Sequence, residues 1–429
     1  MLKFFEILFA GILTSCYFFP FEFYALPGIN TKMVLAVFGL ACAVYHLVKK
    51  RSFSLPQELL WLIVIASSVS VISLLSITFN HTPDTTYVSY IVSFSVWLSA
   101  AFALSCVIHG VHGGISVQIC IDYLIGVCLF QCVFAILIQN VTAIRLFIDR
   151  YFALDQPLLH EINRLYGIGA SLDMAGARFS AVLAAMGFYL SEIAEPLSDK
   201  RRILYITAFI VITVIGNMIA RTTLIGTLLG LGIILIGFLF KPTLPGENYK
   251  VTSFLTWMII LTAGITACVV LYNTDPAARN LFRFGFEGFF SLAEKGHWET
   301  SSTNKLVEGM IVFPETLKTW VIGDGYFLNA VLDANYLGSS TKYGFYMGTD
   351  IGYLRFIFYF GILGLIPMMG VIVYSAAVCM RHFPQDRLLF LLALLVGLIV
   401  WFKVSTDIFC FFALFLSAAA LKTPSTAQA

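Results

Sequence analysis

The chain holds 429 residues, of which 59% are apolar and only 12% charged, with a formal net charge of +2. A soluble domain is about 45–50% apolar and about 25% charged, so the composition argues against a soluble enzyme, a disordered regulator and a secreted disulfide module. The balance of 26 basic against 24 acidic residues carries no bulk nucleic-acid signal, and no nucleic-acid partner is expected.

A membrane helix needs about 20 mostly apolar residues. In chain order, twelve segments meet or approach that: roughly 4–25, 32–48, 57–79, 87–108, 115–139, 176–196, 203–220, 222–240, 251–272, 351–379, 388–406 and 408–421. The first is too long, and too poor in small residues at its end, for a removable signal. The runs are continuously apolar rather than alternating, which excludes a β-barrel. The expected fold is an all-α polytopic integral membrane protein. It divides into an N-terminal bundle over 1–272, with an outer loop at 140–175, a long outer loop over 273–350, and C-terminal membrane helices over 351–429.

The stretch 203–240 holds 38 residues with one charge, Arg221. At about 1.5 Å per residue it is nearly twice the hydrocarbon thickness, so it must be a hairpin. Asn217, Arg221, Thr222 and Thr223 mark its turn and set Arg221 at a membrane face. Orientation follows from basic residues in short loops. Lys49, Lys50, Arg51, Lys200, Arg201, Arg202, Lys241, Lys250, Arg381, Arg387 and Lys422 share one side, which is read as the cytoplasm and takes both termini. The nine cysteines lie in apolar runs without paired spacing. Cys128 and Cys132, one helical turn apart, read as small buried hydrophobes.

Eight of the thirteen arginines fall on the other side: Arg145, Arg150, Arg164, Arg178, Arg221, Arg279, Arg283 and Arg355. Arg178, Arg221 and Arg355 lie at helix ends, where a charge is costly unless paired. Guanidinium forms permanently charged, bidentate bonds to phosphate, so a diphosphate at headgroup depth is the favoured partner of the group. Snorkelling or a nearby carboxylate is the alternative for each arginine taken singly.

The long outer loop carries two segments of interest. Arg279–Phe290 mixes two arginines with five phenylalanines, which suits either an interfacial helix or one packed on the bundle. Asn304–Trp320 has a helical periodicity broken by Pro314, then reaches Gly323-Asp324-Gly325, a tight turn after a helix. The polar aromatic stretch at Asn335, Tyr336, Ser339, Ser340, Tyr343 and Tyr346 suits sugar rings or an interface. Asp350 then sits at the start of the next helix, where Asp is a good N-cap.

Three local patterns occur here in order. Gly176-Ala177-Arg178-Phe179 opens a middle helix. Ala220-Arg221-Thr222 forms the tip of the next hairpin. The Gly323–Gly325 turn leads through Asp350-Ile351-Gly352-Tyr353 to Gly361-Ile362-Leu363-Gly364. In this arrangement, over about 170–370, the chain resembles Wzy-type O-antigen and capsule polymerases and their relatives, the O-antigen ligases. The ligases typically have histidine where this chain has Asp350, which looks like the polymerase branch.

The resemblance implies a GT-C-like bundle of about twelve helices in the bacterial inner membrane, with a periplasmic active site. It implies a glycosyltransferase whose donor and acceptor are undecaprenyl-diphosphate-linked oligosaccharides in the bilayer. The growing glycan passes to the non-reducing end of a new repeat unit, and a chain-length regulator is a further partner. The diphosphate is a good leaving group, so the chemistry asks for cations aimed at developing charge and a base for the acceptor hydroxyl. The expected catalytic residues are Asp350 as base with Arg221 and Arg178 as cations. The expected substrate-binding residues are Arg355, Tyr353, Arg283, Arg164, Gly323 and Gly325, with Tyr353 placed to position Asp350. No metal or cofactor is expected, because no D-x-D pair or His/carboxylate cluster stands on the outer side.

The competing functions are the O-antigen ligase, which passes glycan to lipid A core, and a flippase for lipid-linked sugars. Against transport, the charges gather at one face rather than the midplane. Of the remaining charges, Lys403 and Asp407 are expected to pair with each other. Asp122 is read as structural, Glu192 and Glu195 as solvated, and His160 as a surface histidine beside Pro157 and Glu161.

Overall fold

The computed structural model describes residues 2–50, 57–153, 164–191, 193, 197–240, 249–328 and 345–421. His160, Glu161, Pro157, Glu192, Glu195 and most of the polar aromatic stretch lie outside them. The described chain is helical, with no strand.

The helices are α1 (Leu2–Phe18), α2 (Thr31–Lys50), α3 (Gln57–Asn80), α4 (Tyr90–His112), α5 (Val117–Asn140), α6 (Thr142–Tyr151), α7 (Leu172–Leu190), α8 (Asp199–Ile219) and α9 (Thr223–Phe240). They continue with α10 (Tyr249–Thr274), α11 (Pro276–Gly285), α12 (Glu287–Lys295), α13 (Ser301–Lys305), α14 (Leu317–Val321), α15 (Gly352–His382), α16 (Arg387–Val400) and α17 (Phe409–Leu421). Each of the twelve apolar segments overlaps one of these helices. Six of them, α3, α4, α5, α8, α9 and α15, are long and apolar enough to cross a membrane.

The centre of the bundle is α7. From Ala175 to Leu190 every residue of it is buried. It packs on α8, α9, α16 and α5, while α2 lies along α4, and α15 lies along α3, α16 and α17. Without a water-driven hydrophobic force between helices, close approach needs small side chains. Gly187 of α7 and Gly230 of α9 supply it: a Cβ on Gly187 would collide with the Gly230 backbone.

Alternating helix directions bring two polar networks to opposite ends. At one end Arg201 pairs with Asp122 at 3.0 Å, and Tyr205 donates to the same carboxylate at 2.5 Å. There His382 also meets Glu58 at 2.6 Å, and Tyr189 donates to Asp386 at 3.1 Å. Asp122 therefore serves as an anchor between α5 and α8. The other end carries Arg178, Arg221, Asp350 and Arg355.

The interruption expected at Pro314 is present in the long loop, and the regular helix ends before it. After α13 the chain makes a π-helical turn at Leu306–Met310, then runs without helix through Pro314 to α14. The aromatic segment over Arg279–Phe290 forms α11 and the start of α12, packed on α8 and α10. Gly285 sits so close to α8 that a Cβ there would lie 3.2 Å from the Asn217 carbonyl.

Candidate functional site

Helix α15 is broken at Gly361, whose φ is 66°. The break frees the carbonyls of Phe358 and Tyr359 from their helical donors. The Gly323–Gly325 turn fills the gap. Asp324 N donates to Phe358 O at 2.6 Å, Gly325 N donates to Tyr359 O at 3.1 Å, and the Ser76 hydroxyl donates to Tyr359 O at 2.7 Å. Gly323 (φ 83°) lies so close that a Cβ would stand 2.6 Å from Phe360 N. The turn thus locks the long loop onto α15 and onto α3. Lys318 completes it, with Nζ 2.7 Å from Asp324 and 2.6 Å from Asn80.

This lock places Arg355 one turn into α15. Its guanidinium lies between the rings of Phe327 (3.7 Å) and Phe345 (3.3 Å), and Nη1 donates to Ser405 at 2.7 Å. Nε and Nη2 are buried without a hydrogen-bond partner among the described residues. Asp84 accepts from the amides of Phe327 (2.8 Å) and Leu328 (3.3 Å), which fixes the strand of chain that covers Arg355.

Asp350 lies two residues before α15 and is half-buried. The N-cap is Ile351, with no side-chain cap bond, so Asp350 does not cap the helix. Burial raises its carboxyl above the usual range and Asp173 adds to that, while Arg355 and Lys403 pull it back. Tyr353 does not position it. The Tyr353 hydroxyl donates to Leu398 O at 2.9 Å, and its ring packs on Trp401 and Phe402, because one turn of α15 carries the side chain onto α16.

Lys403 and Asp407 do not pair. Lys403 Nζ lies 2.7 Å from Asp173 and 3.0 Å from the Thr222 hydroxyl, which itself bonds Asp173. Helix α16 ends at Val400, so residues 403–407 are not on one helical face, and the four-residue spacing loses its meaning. Asp407 instead accepts from its own Phe409 amide at 3.0 Å.

Arg178 and Arg221 have neighbouring backbones, since Gly176 packs against Ala220 and Thr222. Their side chains diverge. Arg178 turns inward towards α1 and α4, 5.5 Å from the Trp97 ring centroid and 5.8 Å from Phe19. Only 3% of it is exposed, and Nε and Nη1 lack partners among the described residues. Lys32 stands over Trp97 at 4.4 Å. Arg221 turns to the loop, pairs with Glu287 and donates to Ser301 at 3.2 Å. Arg164 and Arg221 each stack on Phe284 at 4.6 Å. Arg283 stays on the exposed side, bound to Glu294 at 2.7 Å.

The end of the bundle therefore holds a belt of charge. Arg178, Lys32 and Asp407 lie on the α1/α4 side; Arg355 and Asp350 lie in the middle; Asp173, Lys403, Arg164, Arg221 and Glu287 lie towards the loop. Asp173, Lys32 and Glu287 escaped the sequence reading, and Lys403 was given a different partner by it. Each is a single charge in an apolar or mixed run, and Asp173 and Glu287 carry a local signal, an acid in the first turn of a helix. No group of three metal-ligating side chains stands among the described residues.

Compared with protein-family models and with curated proteins, the sequence matches none.

Proposed function

We propose that the chain is a metal-independent membrane glycosyltransferase that polymerises undecaprenyl-diphosphate-linked oligosaccharide repeats at the periplasmic face of the bacterial inner membrane. In this reading twelve helices cross in a GT-C-like arrangement, both termini are cytoplasmic, and the charged belt faces the periplasm. The growing glycan leaves its lipid diphosphate for a hydroxyl at the non-reducing end of the next lipid-linked unit. Asp350 takes the hydroxyl proton, and the arginines stabilise the departing diphosphate.

One observation carries the reading. Arg164 Nε, Arg178 Nε and Nη1, and Arg355 Nε and Nη2 are buried donors without partners among the described residues. An unsatisfied buried donor costs about 1–3 kcal/mol, and more for a charged group. Five of them at one end of the bundle favour a ligand rich in anionic acceptors, and a diphosphate is such a ligand. Asp350, held partly out of water beside Arg355, suits a base. The test is genetic. Arg221→Ala or Asp350→Ala at normal expression leaves single repeat units, whereas wild-type chain lengths in both variants remove the assignment.

A further inference from the structure

Arg355 is 6% exposed, and its surroundings commit all of the guanidinium except one edge. The rings of Phe327 and Phe345 cover its faces at 3.7 and 3.3 Å. Nη1 donates to the Ser405 hydroxyl. The nitrogens left over, Nε and Nη2, are buried without partners among the described residues. They are neighbours on a planar group and their N–H bonds run parallel, so together they form a side-on fork. Such a fork takes two coplanar oxygens, which is the geometry of a carboxylate. A guanidinium held in this slot is costly until an anion meets it.

The setting of the fork favours a single negative charge. The carboxylates that act on Arg355 are Asp350 and Asp84. Asp84 is committed elsewhere: it accepts from the amides of Thr86, Phe327 and Leu328 and from the Thr86 hydroxyl. A diphosphate would bring two or more charges against these two acids, whereas a carboxylate brings one. The slot is also the aromatic part of the belt. Tyr326 and Tyr346, next in sequence to Phe327 and Phe345, stack at 5.4 Å, and a bridge between Leu328 and Phe345 joins the two pieces of chain. Aromatic rings with polar edges suit a sugar ring.

We propose that the free edge of Arg355 reads a carboxylate on the acceptor sugar, so that the repeat unit ends in an acidic sugar and Arg355 selects it. The inference rests on the glycosyltransferase reading for the identity of the acceptor. It divides the belt: the diphosphate falls to the other arginines and the sugar to Arg355. Asp350 stands beside Arg355, so a sugar gripped by the fork brings a hydroxyl to the base.

The test titrates the full chain in phosphatidylcholine nanodiscs by saturation-transfer NMR. The probes are methyl glucuronide, methyl galacturonide and N-acetylneuraminic acid, each beside its uncharged methyl ester. At least one acid binds at least tenfold more tightly than its ester, and inorganic pyrophosphate displaces it at least tenfold less well than the acid itself. Arg355→Met abolishes the preference for acid over ester. Arg355→Lys, which keeps the charge but loses the fork, cuts it at least threefold; Arg279→Lys on α11 leaves it intact. Thermal melting identifies any variant that fails to fold, and the comparison of acid, ester and pyrophosphate on the wild-type chain needs no variant. No preference for any of the acids, wild-type preference in a folded Arg355 variant, or displacement by pyrophosphate as effective as by the acid overturns the proposal. If the preference behaves as expected but lipid-linked repeats give no glycan, the polymerase reading fails and the slot stands. If glycan forms while acids and esters bind alike, the slot fails alone.

Discussion

Lys403 Nζ lies 2.7 Å from Asp173 Oδ1, a pairing across 230 residues of sequence that ties the α16–α17 connection to the first turn of the central helix. Thr222, beside Arg221, joins the same contact. The pair is therefore a joint between the elements that carry Arg178 and Arg221 and the α16–α17 connection. Both side chains are about one quarter to one third exposed, so screening tempers its strength. Lys403→Ala is expected to cost about 1–2 kcal/mol of stability. A double-mutant cycle of Lys403→Ala with Asp173→Ala should give a coupling of at least ~0.5 kcal/mol, read from thermal unfolding in detergent. The Lys403/Asp407 cycle should give none.

Arg355 offers the converse test. Two of its nitrogens have no partner among the described residues, and both flanking surfaces are phenylalanine rings. Met fits such a slot and removes the unsatisfied donors. Arg355→Met should leave the melting temperature of the ligand-free protein unchanged or raise it by a few degrees, while stabilisation by added lipid-linked repeat unit falls. A loss of several degrees without ligand would show that the arginine is structural.

The Gly323 turn is a folding element before it is anything else. With φ at 83° and the α15 backbone 2.6 Å from where a Cβ would stand, Gly323→Ala should be destabilising by about 1–3 kcal/mol. Lower yield and an earlier melt check this. An alanine variant that melts normally yet makes no polymer would instead favour a direct substrate role.

The pH dependence follows from Asp350. As a base it works deprotonated, so the rate rises with pH through its pKa and then levels. Burial puts that rise above the usual carboxylate range near 4. Arg355, Asp173 and Lys403 are the charges that act on it. Asp173→Asn removes a contribution that raises the pKa, so the rising limb moves to lower pH. Lys403→Met removes one that lowers it, so the limb moves to higher pH. Rate–pH profiles on lipid-linked substrate separate the two; shifts of the same sign would exclude Asp350 as the group observed.

Hydropathy located the apolar helices, since each of the twelve apolar segments overlaps one, and six of these are long and apolar enough to cross a membrane. The 203–240 hairpin was equally plain, since one arginine in 38 residues marks a turn. What periodicity could not supply is which way a side chain leaves its backbone. Arg178 and Arg221 start from touching segments and face opposite sides. Tyr353 stands one turn from Asp350 and packs on another helix. Lys403 and Asp407 look like a helical pair, but α16 ends three residues before Lys403. The break at Gly361 was also hidden, because a glycine in an apolar run reads as helix until the turn that fills its gap is seen.

The most direct test of the central claim uses purified protein with lipid-linked repeat units and no nucleotide sugar. Wild-type protein should convert single units to a ladder of longer lipid-linked glycans and release the diphosphate lipid, while Arg221→Ala and Asp350→Ala leave single units. Substrate that crosses the bilayer without any new glycosidic bond, or equal ladders from all three proteins, would contradict the account.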